Sequence, residues 1–173
     1  MKTYIKPIGA GICSVAVVLG IVESKETTLR TNHEGLALIA NSEGCRTKPY
    51  SCSAGVLTVG IGSTDKVKKG KNYSYDEIAE RFIDDVKQAE NCVNTYANGN
   101  KMNQGQFNAV TSFVFNVGCR KKSTLFKYAR AEKWEKMCNE LPRWQYVNGQ
   151  KSKGILKRRL TEKAMCLQKN KGA

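Results

Sequence analysis

The sequence predicts an α+β fold that is mostly helical: a small antiparallel sheet, then a run of helices, preceded by an apolar N-terminal segment. Three observations carry that expectation. Residues 45–64 include a β-prone run and are punctuated by Pro49, Gly55, Gly60 and Gly62, the pattern of short strands and turns. From Ser74 onward, apolar residues recur at helical spacing behind recognisable helix starts. Residues Ile8 to Val22 are apolar or small without a break.

Composition narrows the class. The chain has 173 residues, 40% hydrophobic and 25% charged, enough for one domain with its own core and too apolar for global disorder. Lys and Arg number 29 against 15 Asp and Glu, a formal net charge of +14. Such a surface favours an anionic partner: nucleic acid, anionic lipid or an acidic cell-wall polymer. There are seven cysteines and a single histidine, His33, and no C-x-x-C pair. A zinc site is therefore poorly supplied, and neither a metal nor a cofactor is expected. Disulfides in an oxidising compartment are the better reading, and an odd count leaves one cysteine over.

The N-terminal segment comes first. Lys2 and Lys6 precede the apolar run, which predicts a cytoplasmic N-terminus and an exported remainder. A helix from Tyr4 to Val22 would be about 28 Å long, just short of a hydrocarbon core of about 30 Å. Gly9, Gly11, Ser14 and Gly20 dilute its hydrophobicity, so the segment reads as a weak membrane span that is retained. A cleaved signal peptide is the first alternative, although Val18-Leu19-Gly20 is a poor small-x-small site; a core helix of the domain is the second. Ser24 to Arg30 reads as a polar linker. This gives residues 1–30 as anchor and linker and 31–173 as the exported domain, which holds nearly all of the excess positive charge.

The exported domain opens with Thr31-Asn32-His33-Glu34, a capping-box pattern in which the Thr31 hydroxyl caps the helix and Glu34 reaches back. Leu36, Ile39 and Ala40 give its apolar stripe, Gly44 suits its end, and His33 belongs to the surface. Val56 to Ile61 is the β-prone part of the sheet. Lys66, Lys68, Lys69 and Lys71 form a basic loop, read first as a solvated charge run and second as an anionic contact. Ser74 and Glu77 form a second capping box, and Ile78, Phe82, Val86 and Val93 predict a long helix over about 75–96. Asn103 and Gln106 mark a third start. The helix behind them is apolar on all sides from Phe107 to Val117, which predicts burial, and it ends at Gly118. Shorter helices are predicted near 123–131 and 133–141, stopped by Pro142. A last one is predicted over about 155–169, with Leu156, Leu160, Ala164 and Leu167 on one face.

The junction of helix and sheet carries the most specific signal. It reads Glu43 at a helix end, Pro49-Tyr50, then Cys52, then Gly55-x-x-Thr58-x-Gly60-x-Gly62-x-Thr64. This pattern resembles the phage-type lysozymes, the muramidase endolysins. Ser112 to Gly118 resembles that family's central helix, and Trp144 with Leu156-Lys157-Arg158-Arg159-x-x-Glu162 its C-terminal segment. The resemblance covers about residues 31–169. It implies a lysozyme-like fold, with a sheet lobe and a helical lobe. It also implies cleavage of the β-1,4 bond between N-acetylmuramic acid and N-acetylglucosamine in peptidoglycan. In the family a Glu, an Asp nine residues on and a Thr fifteen residues on line the cleft. Glu43 and Thr58 match; the middle position is Cys52.

These residue types suit glycoside cleavage, which needs an acid for the leaving oxygen and a second group across the sugar. Glu43 is the acid candidate, kept protonated by partial desolvation, and Thr58 could orient the attacking water. Cys52 departs from the family pattern. A thiolate there can carry negative charge, accept a proton or attack carbon; a disulfide sulfur does these poorly. Activity should then require Cys52 to be reduced. Arg158 or Arg159 is expected to pair with Glu43.

The odd cysteine count suggests a switch. With Cys13 in a bilayer, the six others can all pair, and a Cys45–Cys52 bond would block Cys52. Once the weak anchor leaves the membrane, Cys13 can attack Cys45 by thiol–disulfide exchange, giving Cys13–Cys45 and freeing Cys52. This arrangement resembles the signal-anchor-release endolysins that carry a cysteine in the anchor and one at the Asp position. That resemblance implies a chain held inactive at the host inner membrane, facing the periplasm, until depolarisation, typically by a holin, releases it. Cys92, Cys119, Cys138 and Cys166 allow three pairings; Cys92–Cys119 with Cys138–Cys166 is favoured because it ties neighbouring helices.

The readings are therefore ordered. A membrane-tethered, redox-gated muramidase, acting as a monomer on peptidoglycan, stands first. A non-catalytic, basic, disulfide-rich module that binds cell wall or anionic lipid is the alternative. Nucleic-acid binding is not expected, because no aromatic-basic stacking motif or zinc finger is present.

Overall fold

The structure, a computed structural model, describes residues 11–25, 27–51 and 55–168. Residues 4–10 of the expected anchor, Cys52, and residue 169 of the expected last helix lie outside the described residues. The architecture is α+β and mostly helical, as expected. It divides into two compact units, Met1–Thr27 with Glu43–Ile83, and Thr28–Ser42 with Asp84–Ala173.

The first unit is built on a small sheet. Strand β1 (Arg46–Ser51) pairs antiparallel with β2 (Leu57–Gly60), placing Tyr50 opposite Thr58 and Arg46 opposite Gly60. The register shifts between Arg46 and Tyr50, where Pro49 has no N–H to give the ladder. Residues 11–13 run along the other edge of β1: Thr47 N–H donates to the Gly11 carbonyl at 2.8 Å and Cys13 N–H to the Cys45 carbonyl at 3.1 Å. Ser14 then caps helix α1 (Val15–Ser24), accepting from Val17 N–H at 3.4 Å, while its own N–H donates to the Tyr75 hydroxyl at 3.1 Å.

In this structure the described part of the apolar segment is therefore not one helix through Val22, because residues 12–14 are extended. Val18, Leu19 and Val22 are buried in the first unit. No helix of the described residues is long and apolar enough to cross a membrane. The expected linker is also tied down, since Lys25 pairs with Glu80 at 3.3 Å and Asp76 at 3.8 Å.

Helix α3 (Tyr75–Tyr96) starts on the predicted box: Glu77 N–H donates to Ser74 Oγ at 3.2 Å and Ser74 N–H to Glu77 Oε2 at 2.9 Å. The Lys71 ammonium bonds the Glu77 carboxylate and, with the Ser74 N–H, holds it below the usual carboxylate range. The basic loop is thus folded back on the start of α3. Tyr73 seals it, accepting from Lys68 N–H at 2.9 Å beneath Lys71 and Arg81.

The second unit contains α2 (His33–Glu43) up to Ser42. Its cap corrects the expectation. The Thr31 N–H and hydroxyl both donate to buried Glu90 at 2.6 Å, charge-assisted bonds that turn the side chain toward the carboxylate. Asn32 caps instead, accepting from Gly35 N–H at 3.3 Å. Arg30 donates to the carbonyls of Gly99 and Met102 and stacks 4.1 Å from Phe107; burial lowers its guanidinium pKa.

Helix α4 (Gln104–Val117) has the predicted box, Asn103 with Gln106, and every residue from Phe107 to Val114 is buried. It is followed by α5 (Thr124–Arg130), α6 (Trp134–Glu140) and a 3-10 turn (Leu141–Arg143) that begins on either side of Pro142. A hairpin then appears that was not anticipated, β3 (Tyr146–Val147) and β4 (Gln150–Lys151). Its turn is Asn148-Gly149, both at positive φ, the residues that such a tight hairpin turn requires.

Helix α7 (Lys153–Cys166) starts earlier than expected because Ser152 caps it, accepting from Ile155 N–H at 3.3 Å. Its apolar stripe is on one face, but that face is the outer one: Leu160 and Leu167 are exposed while Arg158, Arg159, Glu162 and Cys166 are buried.

Among the described residues three disulfides form. Cys92–Cys119 ties α3 to the end of α4, and Cys138–Cys166 ties α6 to the end of α7, the pairing favoured from the sequence. Loops of this length correspond to roughly 3–4 kcal/mol each in chain-entropy terms. Replacing Cys138 and Cys166 together by Ala is expected to lower unfolding free energy by about 2–5 kcal/mol in urea titration, with the fold retained.

Candidate active site

Glu43 is the last residue of α2, and Gly44, at positive φ, turns the chain into β1. The carboxylate is partly buried. Beside it is the glycine pair of the motif. Gly62 sits at φ +77°, and a β-carbon there would stand 3.5 Å from Glu43 Oε2. Gly60 sits at φ +62°, with Ile78 Cγ2 only 3.0 Å from where its β-carbon would be. Both positions favour glycine because the backbone is left-handed, and at Gly60 a β-carbon would also crowd Ile78. Gly62 packs against the Glu43 carboxylate at contact distance, a relation not anticipated although the motif contained both residues.

Thr58 is on β2 and buried, its hydroxyl donating to the Val56 carbonyl at 3.1 Å. That bond occupies the hydroxyl proton and leaves the oxygen lone pairs as acceptors. β1 ends at Ser51, the residue before Cys52, opposite Leu57. Cys52 itself lies outside the described residues.

Cys45, two residues beyond Glu43, is bonded to Cys13 with their Cα atoms 5.1 Å apart, and both are buried. This is the pairing expected of the activated isomer. The Cys45 sulfur is accordingly not available to Cys52. The six other cysteines are all paired among themselves.

In the second unit, the motif blocks of α4, Trp144 and α7 converge. Glu162 Oε1 accepts from Ser112 Oγ at 2.7 Å and from Arg158 Nε at 3.2 Å, and Glu162 Oε2 lies 3.1 Å from Arg159 Nε. Arg159 Nη2 donates to Asn116 Oδ1 at 2.8 Å. Its guanidinium lies 5.3 Å from the Phe113 ring, which meets Trp144 edge-on at 5.1 Å. Burial raises the Glu162 carboxyl, opposed by the Arg159 and Arg158 charges and the Ser112 hydroxyl. The sequence reading expected Arg158 or Arg159 to pair with Glu43 and gave Glu162 no role; spacings of three and four residues on one helix were the available signal.

Residues 40–162 match the model of the phage lysozyme family. The chain belongs to that family. It is a lysozyme, a glycoside hydrolase of the muramidase type, and an endolysin, which decides between the enzyme and the non-catalytic module. The SAR-endolysin of Haemophilus phage HP1 is 40% identical over 94% of this chain and 98% of its own length. A crystal structure of the active form of P1 phage endolysin Lyz aligns with a TM-score of 0.86 at 37% identity, covering 92% of this chain and 96% of that one. The secreted inactive form of the same endolysin aligns at 0.58, covering 79% and 95%.

Gly62→Val places a strained backbone and two γ-carbons beside the Glu43 carboxylate, and is expected to lower turnover on purified cell wall roughly 10- to 100-fold, the cost of a small displacement at a reacting centre if Glu43 belongs to it. Thermal melting of the same variant separates this loss from unfolding.

Proposed function

We propose that this endolysin hydrolyses the β-1,4 bond between N-acetylmuramic acid and N-acetylglucosamine in peptidoglycan, and that disulfide exchange controls it. Glu43 gives its proton to the glycosidic oxygen. Thr58 accepts a hydrogen bond from the attacking water and orients it. Cys52, as a thiolate, stands where the family has a carboxylate and carries the negative charge that opposes the developing positive charge on the sugar.

Before activation, residues 4–22 hold the chain in the host inner membrane, N-terminus in the cytoplasm and residues 31–173 in the periplasm. Cys45 is then bonded to Cys52. Loss of membrane potential, typically through a holin, lets the weak anchor leave. The Cys13 thiolate attacks the Cys45 sulfur, the Cys45–Cys52 bond breaks, and Cys52 departs as a thiolate. One disulfide is lost and one gained, so no external oxidant or reductant is needed. The released enzyme is a soluble monomer.

The observation that carries this reading is the Cys13–Cys45 bond, formed while residues 11–14 hydrogen-bond to β1 and Tyr75. The closer likeness to an active than to an inactive endolysin form supports it.

Two measurements test the proposal. Glu43→Gln is expected to lower peptidoglycan solubilisation by about 10²- to 10⁴-fold, the contribution of a general acid; activity at the unaltered level counts against Glu43. Cys13→Ser is expected to leave the membrane yet remain inactive until a reductant frees Cys52. Full lysis by that variant without reductant removes Cys13 from the mechanism.

A further inference from the structure

Helix α7 is inside out. Its buried side holds Arg158, Arg159 and Glu162, and its outer side holds leucines. Leu160 is 50% and Leu167 42% exposed, unusual for large apolar residues on a helix otherwise rich in charge. Lys153, Leu156, Lys157, Leu160, Thr161 and Ala164 line one surface groove. From residue 150 to the end, the sequence has six lysines, at 151, 153, 157, 163, 169 and 171, and one acid, Glu162. Glu162 is fully buried between its two arginines, and none of the described residues lining the groove is acidic.

We propose that the outer face of α7 docks on the surface of an anionic phospholipid bilayer. A helix of 14 residues, about 21 Å long, is too short and too charged to span, and because its inner face is charged as well, only its outer strip of leucines and lysines meets the lipid. Leu160, Leu156, Ala164 and Leu167 enter the acyl boundary, while Lys153 and Lys157 reach the phosphates on their flexible stems. Charge decides against a second copy as the occupant, because two such faces would set lysine against lysine. The groove has no aromatic ring to stack on a sugar face, which disfavours a glycan. The proposal is independent of the N-terminal tether and applies to the enzyme carrying the Cys13–Cys45 bond.

The test uses the full chain with Cys13–Cys45 verified, and co-sedimentation with vesicles of phosphatidylethanolamine and phosphatidylglycerol or of phosphatidylcholine alone. The chain is expected on the anionic vesicles and not on the zwitterionic ones. Leu160→Asp should lower the partition constant about tenfold or more, and Lys157→Gln roughly fivefold. Muramidase turnover in lipid-free buffer should be unchanged by both. Equal binding to phosphatidylcholine, or binding indifferent to both substitutions, overturns the proposal. So does lipid-free self-association that Leu160→Asp abolishes, which would assign the face to a second copy, or lost cell-wall binding with vesicle binding intact.

Discussion

The first unit depends on one covalent constraint, the bond between Cys13 and Cys45. It fastens residues 11–14 along β1 just where Gly44 turns the chain away from Glu43. Backbone bonds from Cys13 and Thr47 and the Tyr75 hydroxyl continue the attachment, and α1 follows with Val18, Leu19 and Val22 buried. An apolar segment diluted by glycine and serine has a modest preference for a bilayer, so burial of a few side chains plus one disulfide is enough to compete for it. In the proposed cycle, the weakness of the segment as a membrane span is a condition of this second use.

The second unit shows what buried charge demands. Taking two guanidiniums and a carboxylate out of water is costly unless each finds partners. Glu162 supplies the counter-charge, Ser112 and Asn116 supply hydrogen bonds, and Phe113 with Trp144 closes the apolar side. Because α7 turns this charged face inward, its leucines have nowhere to go but outward. The exposed stripe is therefore a consequence of the buried network.

Local chemistry was legible in the chain. The capping boxes at Ser74 and Asn103, the all-round apolar run of α4 and the glycine-punctuated sheet each depend on residues a few positions apart, and each appears as read. The Asn148-Gly149 hairpin was equally local and was overlooked. Thr31 misled because a competing acceptor, Glu90, lies 59 positions away in sequence.

The sequence by itself determined the α+β class, the position of Glu43 at a helix end, and the surplus of one cysteine. Those depend on spacing and counting. Only the tertiary structure decided which of its two expected partners Cys45 takes, that Gly62 packs against Glu43, and that α7 buries its arginines instead of its leucines. Each of these is a choice among partners far apart in the chain, and such choices are made by which groups can be brought together out of water, a quantity that no local pattern records.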